Sequence, residues 1–158
     1  SITGALLALR VMDQSLNLTV ALGDWTPGTN GVQVSVEISD GNTTENKTAT
    51  LDASGNATVT TALSGNLTVR VKASHWLADA EAASVAPGGS AAISFALING
   101  DCDDDNSVTV FDYGVLSDAF DSSPGSANWD ARADLDGDEN VTVFDYGILS
   151  DNFDKTGG

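Results

Sequence analysis

Asp101-Cys-Asp-Asp-Asp-Asn-Ser-Val-Thr-Val-Phe-Asp112 and Asp134-Leu-Asp-Gly-Asp-Glu-Asn-Val-Thr-Val-Phe-Asp145 are two stretches of twelve residues in one register. Places 1, 3, 5 and 12 are aspartates in both: Asp101, Asp103, Asp105 and Asp112, then Asp134, Asp136, Asp138 and Asp145. Calcium takes about six to eight hard oxygens, and a twelve-residue loop offers them from places 1, 3, 5, 7, 9 and 12. Place 7 contributes a backbone carbonyl, here of Ser107 and Asn140, and place 9 contributes Thr109 and Thr142. Val108 and Val141 at place 8 supply an apolar anchor. Place 6 turns sharply and favours glycine, but it carries Asn106 and Glu139, of which Asn tolerates the left-handed region more readily. Four converging carboxylates repel by roughly 1 kcal/mol per pair even in bulk water. A divalent cation removes that cost, so metal binding and folding are expected to be coupled. The expectation is two calcium sites.

The loops open an internal duplication. Val108–Asp121 reads VTVFDYGVLSDAFD and Val141–Asp154 reads VTVFDYGILSDNFD, with only Val115/Ile148 and Ala119/Asn152 differing. Phe111, Val115, Leu116 and Phe120, and again Phe144, Ile148, Leu149 and Phe153, recur at helical spacing and predict one apolar helix face per repeat. No helical pattern precedes either loop: Ala91–Gly100 reads as strand and turn, and Ser122–Ala133 contains Pro124 and Gly125. Each unit is therefore a loop followed by a helix. Cys102 stands where the second loop has Leu135 and reads as a small apolar anchor. Over about Asn99 to Asp154 the chain resembles the dockerin family. That resemblance implies a small α module of two half-hands paired antiparallel, calcium ligands at the eight aspartates above, and a cohesin-like protein partner.

Residues 1–97 read as β-structure, making the whole chain mainly β, with 98–158 as the calcium module. Short β-rich runs (Asn17–Leu22, Val32–Ile38, Thr48–Leu51, Ala57–Thr61, Leu67–Val71, Ala91–Leu97) alternate with turn clusters such as Asp40-Gly41-Asn42 and Pro87-Gly88-Gly89. Val32, Val34, Val36 and Ile38 face one way while Gln33, Ser35, Glu37 and Ser39 face the other, as in a half-buried strand. The spacing predicts an antiparallel Ig-like sandwich. With Ser74-His75-Trp76-Leu77 and the joint Leu97-Ile98-Asn99-Gly100-Asp101, this half is similar to carboxypeptidase-regulatory-like or transthyretin-like sandwiches, a resemblance that implies a scaffold. The opening run Ser1–Met12 is apolar on both faces, Ile2, Leu6 and Met12 against Leu7, Leu9 and Val11. It fits a strand covered on both sides, either interior or donated to a neighbouring molecule's sheet edge.

The chain of 158 residues carries 23 acids and 6 bases, a net charge of -17. That charge argues against nucleic acid and against anionic membrane surfaces. No run is apolar enough to span a membrane, and a single cysteine excludes an internal disulfide framework. The chain opens on Ser1 without a signal-peptide pattern, as expected of a processed or trimmed form. Asn17, Asn42, Asn46, Asn56 and Asn66 begin candidate N-glycosylation sequons, and Asn140 begins a sixth inside a metal loop. His75, the single histidine, reads as structural, and no catalytic triad, phosphate loop or zinc spacing is present. The composition suits an extracellular, cell-surface protein without catalytic activity. Three roles fit it. One is a self-assembling subunit of a surface fibre, with Ile2, Leu6, Leu7, Leu9 and Val11 contacting the next copy. Another is a docking module for a cohesin-like domain, the sandwich serving as spacer. The third is a carbohydrate-binding sandwich that stacks sugars on Trp25, Trp76 and Trp129.

Overall fold

Alternation of apolar and polar side chains drives most of the strands. The computed structural model describes residues 12–158, and within them nine strands and two helices form. The strand expected over the opening run, and with it Ile2, Leu6, Leu7, Leu9 and Val11, lies outside the described residues. The strands are β1 (Gln14–Leu22), β2 (Gln33–Ser39), β3 (Thr44–Thr50), β4 (Asn56–Thr61), β5 (Gly65–Lys72), β6 (His75–Trp76), β7 (Asp79–Val85), β8 (Ser90–Leu97) and β9 (Asn99–Asp101). The helices are α1 (Val110–Ala119) and α2 (Val143–Asp151).

A three-stranded sheet in the order β4-β1-β8 faces a four-stranded sheet in the order β3-β2-β5-β7. Leu16, Leu18 and Val20 of β1 and Ile93, Phe95 and Leu97 of β8 point inward from the first. Val34, Val36 and Ile38 of β2 and Leu67, Val69 and Val71 of β5 meet them from the second. Each such side chain contributes about 1.5–3 kcal/mol by leaving water. The sandwich is thus as expected in its layers, but it is not wholly antiparallel: β1 and β8 run parallel, from Ser15↔Ser90 to Leu22↔Leu97. Alternation is the same in either direction, so it could not reveal this. The direction follows from the chain path, because β8 arrives from β7 of the opposite sheet rather than through a hairpin from its neighbour. β7 itself, Asp-Ala-Glu-Ala-Ala-Ser-Val, lacks an apolar alternation and was not expected. Its antiparallel ladder with β5, Gly65↔Val85 to Val71↔Asp79, makes it a strand.

A second core gathers Cys102, Val108, Leu116, Ala119, Ala133, Leu135, Val141 and Leu149, and Leu77 from the first half of the chain joins it. The two cores are welded by a two-stranded ladder of β6 with β9 and by Asn99, which is fully buried. Its Nδ2 donates to the carbonyls of Gly23 and Leu135, and its Oδ1 pairs with His75 Nδ1 at 2.9 Å. The Asn152 side chain donates back to the Asn99 carbonyl. Trp76 stacks on His75 at 3.8 Å and lies edge-on to Trp25 at 5.2 Å. Gly100 has φ +122, and a Cβ there would press on Val108 at 3.3 Å, so glycine is required where the chain enters the first loop.

Candidate metal centres and the paired-helix face

Both loops fold by the same local rule: short acidic side chains bind the amides of their own turn. Asp105 Oδ1 accepts from Ser107 N and Asp138 Oδ1 from Asn140 N, each at 2.9 Å. Asp101 Oδ2 accepts from Asn106 N and Asp134 Oδ2 from Glu139 N, each at 3.0 Å. Places 4 and 6 are left-handed in both loops: Asp104 φ 61 and Asn106 φ 69, Gly137 φ 79 and Glu139 φ 66. The strain expected at place 6 is therefore present in both loops, and Glu139 carries it too.

The twelfth residue has two tasks. Thr109 and Thr142 cap α1 and α2, each accepting from the amide two residues on, and Asp112 and Asp145 complete a capping box as the third helical residue. Asp112 Oδ2 takes the amide of Thr109 at 2.6 Å, and Asp145 Oδ2 takes that of Thr142 at 2.7 Å.

Carboxylate oxygens of Asp101, Asp103 and Asp112 lie within 4.8 Å of one another, and so do those of Asp134, Asp136 and Asp145. Asp105 and Asp138 do not join these groups; they are exposed and serve the turn amides. Thr109 and Thr142 direct their hydroxyls to the helix caps. Three of the four expected carboxylates are thus gathered in each loop. One observation tests the fit of a hard cation. Asp101 Oδ1 is enclosed and, alone among the buried side-chain nitrogens and oxygens of the described residues, has no hydrogen-bond partner. Such an atom costs about 1–3 kcal/mol unless something binds it. The gathered donors are all oxygen, which suits calcium rather than zinc or copper.

Electrostatics agree. Burial pushes the carboxyls of Asp101, Asp112 and Asp136 above the ordinary range, with Lys72 opposing the shift at Asp101. Asp134 is pushed up to about 6, first by burial and then by the charges of Asp145, Asp136 and Asp138. A carboxyl whose folded pKa is raised contributes stability that is complete below its unfolded value and is lost as pH rises through the folded one. In calcium-free buffer the melting temperature should therefore rise as pH is lowered from 7 to 5. Scanning calorimetry checks this, and a flat or falling profile would mean Asp134 is not held among other carboxylates.

The two units are related by a local twofold. Val108 N donates to Lys155 O and Asp154 N to Val108 O, while Val141 N donates to Ser122 O and Asp121 N to Val141 O. Tyr113 and Tyr146 meet edge-to-face at 5.6 Å across it. The helix faces differ from expectation. Only Leu116 and Leu149 of the predicted stripes are buried, whereas Phe111 and Phe144 are each 70 % exposed. Phe120 and Phe153 are also exposed, as are Val110 and Val143. A ten-residue helix packed on one side by a loop and a short helix cannot bury a stripe this wide. Two equivalent depressions of about 380 and 390 Å³ result, one lined by Tyr113, Leu116, Phe120 and Val143, the other by Tyr146, Leu149, Phe153 and Val110. Helical periodicity marks an apolar face but not what covers it, and most of these aromatics stay uncovered.

No protein-family model and no curated protein matches the sequence. Among solved structures, the chain is similar to chains of two type II cohesin–X-dockerin complexes from Acetivibrio cellulolyticus, a C-terminal and an N-terminal interface mutant. Identity is 20% and 19%; in both cases 92% of this chain and 97% of the other are covered, with a TM-score of 0.68. The likeness is one of fold. A DUF3823 family protein from Parabacteroides merdae, at 9% identity and TM-score 0.43 over 58% of this chain and 48% of that one, carries no further weight.

The remaining sequence candidates fall as follows. Asn17, Asn42, Asn46, Asn56 and Asn66 are all exposed, as a modified asparagine must be, and so is Asn140. Asn17 and Asn56 are cross-linked across β1 and β4, Asn17 Oδ1 accepting from Thr58 and Asn56 Oδ1 from Thr19. Cys102 is buried, and burial raises its thiol pKa, so it behaves as the apolar anchor expected. His75 is buried and burial lowers its pKa, consistent with a structural role. Trp76 is buried and packs edge-on to Trp25, so it cannot stack a sugar, whereas half-buried Trp25 and Trp129 line one depression together with Pro27 and Pro124. Among the described residues no helix is long and apolar enough to cross a membrane.

Proposed function

We propose that this chain is an extracellular, non-catalytic docking module. In this reading two calcium ions stiffen it through Asp101, Asp103 and Asp112 and through Asp134, Asp136 and Asp145, with Asp105, Asp138, the carbonyls of Ser107 and Asn140, and Thr109 and Thr142 completing the shells. The observation that carries the reading is the uncovered twofold face of α1 and α2. Phe120, Phe153, Tyr113, Tyr146, Val110 and Val143 stand exposed there in a chain otherwise rich in acids. Large apolar patches of this kind mark protein contacts. A partner of cohesin-like type, presenting a flat apolar surface, fits it, in keeping with the complexes in which the similar folds occur. The net charge of -17 disfavours nucleic acid and favours a partner with a basic rim.

A homotypic version, the fibre subunit, is favoured by a separate observation. Strands β1, β4 and β8 contain no ionisable residue, so the outer face and both edges of that sheet are uncharged. The edge strands of the other sheet carry Glu45, Lys47, Asp79 and Glu81. Charged edges block strand addition, and the uncharged ones leave room for the apolar segment Ser1–Val11 of a second copy. Light scattering in calcium and after chelation, with and without immobilised cohesin domains, tests both. Particles that grow in calcium and shrink on deletion of residues 1–11 support the homotypic form. A monomer captured by a cohesin domain supports docking, and a monomer that binds neither would overturn both.

A further inference from the structure

Lys72 ends β5, and its side chain is only 15% exposed. Its Nζ lies 3.0 Å from Asp101 Oδ2 and 2.9 Å from Asp104 Oδ1, and it donates to the carbonyls of Ala73 at 3.0 Å and Trp76 at 2.7 Å. An ammonium so enclosed is held in place by its acceptors rather than by solvent. The first metal loop thus carries a cation of its own. The second does not: among the described residues no ion pair reaches Asp134, Asp136 or Asp145, and Arg132 is turned to Asp130 at 2.7 Å.

The departures at places 4 and 6 follow the same division. Asp104 holds a left-handed conformation at the place where the second loop has Gly137. Its carboxylate accepts from Lys72 and from His75 N, which gives a reason for aspartate at a glycine-favouring position. Asn106 Oδ1 accepts from Ala78 N at 2.7 Å. The corresponding Glu139 makes no side-chain hydrogen bond to the sandwich among the described residues. The first loop is therefore tied to the sandwich by its own side chains at these two places, whereas the second is tied through the Asp136 carbonyl, which accepts from Thr26 N and Oγ1.

We propose that Lys72 is a built-in counter-cation that makes the two loops unequal: the first is pre-formed on the sandwich without metal and takes calcium weakly, and the second takes it first. The inference rests on the calcium reading of the loops. Lys72 is a positioning residue in this scheme. It neutralises part of the acidic cluster and repels a divalent ion approaching Asp101, so its removal should loosen the empty loop and tighten the filled one.

The test is calorimetric titration with calcium chloride alone. The wild type should show two unequal sites. With Asp134→Ala silencing the second loop, adding Lys72→Met, which keeps the aliphatic stem, should tighten the remaining site by about tenfold. The melting temperature of Lys72→Met in calcium-free buffer should fall while that in saturating calcium changes less. Near-ultraviolet dichroism and unchanged affinity of the second loop in the single variant control for folding. If Lys72→Met does not fold, Lys72→Gln, which retains donors for the two carbonyls, takes its place. Unchanged or weakened affinity at the first loop, or two equal sites in the wild type, overturns the inference. A wild type that takes up no calcium overturns the underlying reading instead.

Discussion

Replacing Asp101 and Asp134 together by alanine should abolish the calcium-dependent rise in melting temperature. Both are buried place-1 carboxylates, and each also holds the amide at place 6. A ligand that binds only the folded chain stabilises it by about 2.7 kcal/mol at a hundredfold excess over its dissociation constant. For a protein of this size each kcal/mol moves the melting temperature by about 2–4 °C. Two sites together give roughly 10–20 °C between saturating calcium and chelator, and the double variant should show none of it. Differential scanning calorimetry reads this directly. A melting temperature that remains calcium-sensitive in the double variant would mean the ions sit elsewhere, for example on the exposed Asp118, Asp121 or Asp151.

Changing Phe120 and Phe153, which line the two depressions between the helices, to serine should leave the fold intact and remove partner binding. The rings are 43% and 47% exposed, and replacements at such positions cost about 0.5 kcal/mol or less in stability. At a protein interface the same rings act as anchors of about 2 kcal/mol each, and each 1.4 kcal/mol is about tenfold in affinity. Capture by an immobilised cohesin domain should therefore weaken by about 100- to 1,000-fold, with melting temperature and calcium uptake unchanged. Surface plasmon resonance measures the loss. If binding persists while light scattering shows a monomer, the helix face is not the docking surface. If binding persists with growing particles, the contact runs through the uncharged sheet instead.

Much of this molecule was open to reading because its signals are local. Asp101 to Asp112 and Asp134 to Asp145 reach only across their own turns, so spacing alone located the loops and the valine anchors. Val34, Val36 and Ile38 alternate in and out as their pattern requires, and the near-identical helices announced the duplication. Other features depend on partners distant in sequence. The parallel pairing of β8 with β1 comes from a crossover between sheets, which alternation does not record. β7 is a strand because β5 supplies its ladder. Trp76 could have been a sugar platform by composition and is instead packed in the sandwich core beside His75.

The sequence by itself determined the two acidic loops, their helices and the apolar alternation of the sandwich, because each arises from residues within a dozen positions of one another. Only the tertiary structure decided which helix aromatics stay uncovered, that Asn99 joins the two cores, and that Lys72 reaches the first loop and not the second. Those outcomes depend on which surfaces meet once the chain is folded, and burial and charge pairing between distant segments leave no periodic mark on the chain.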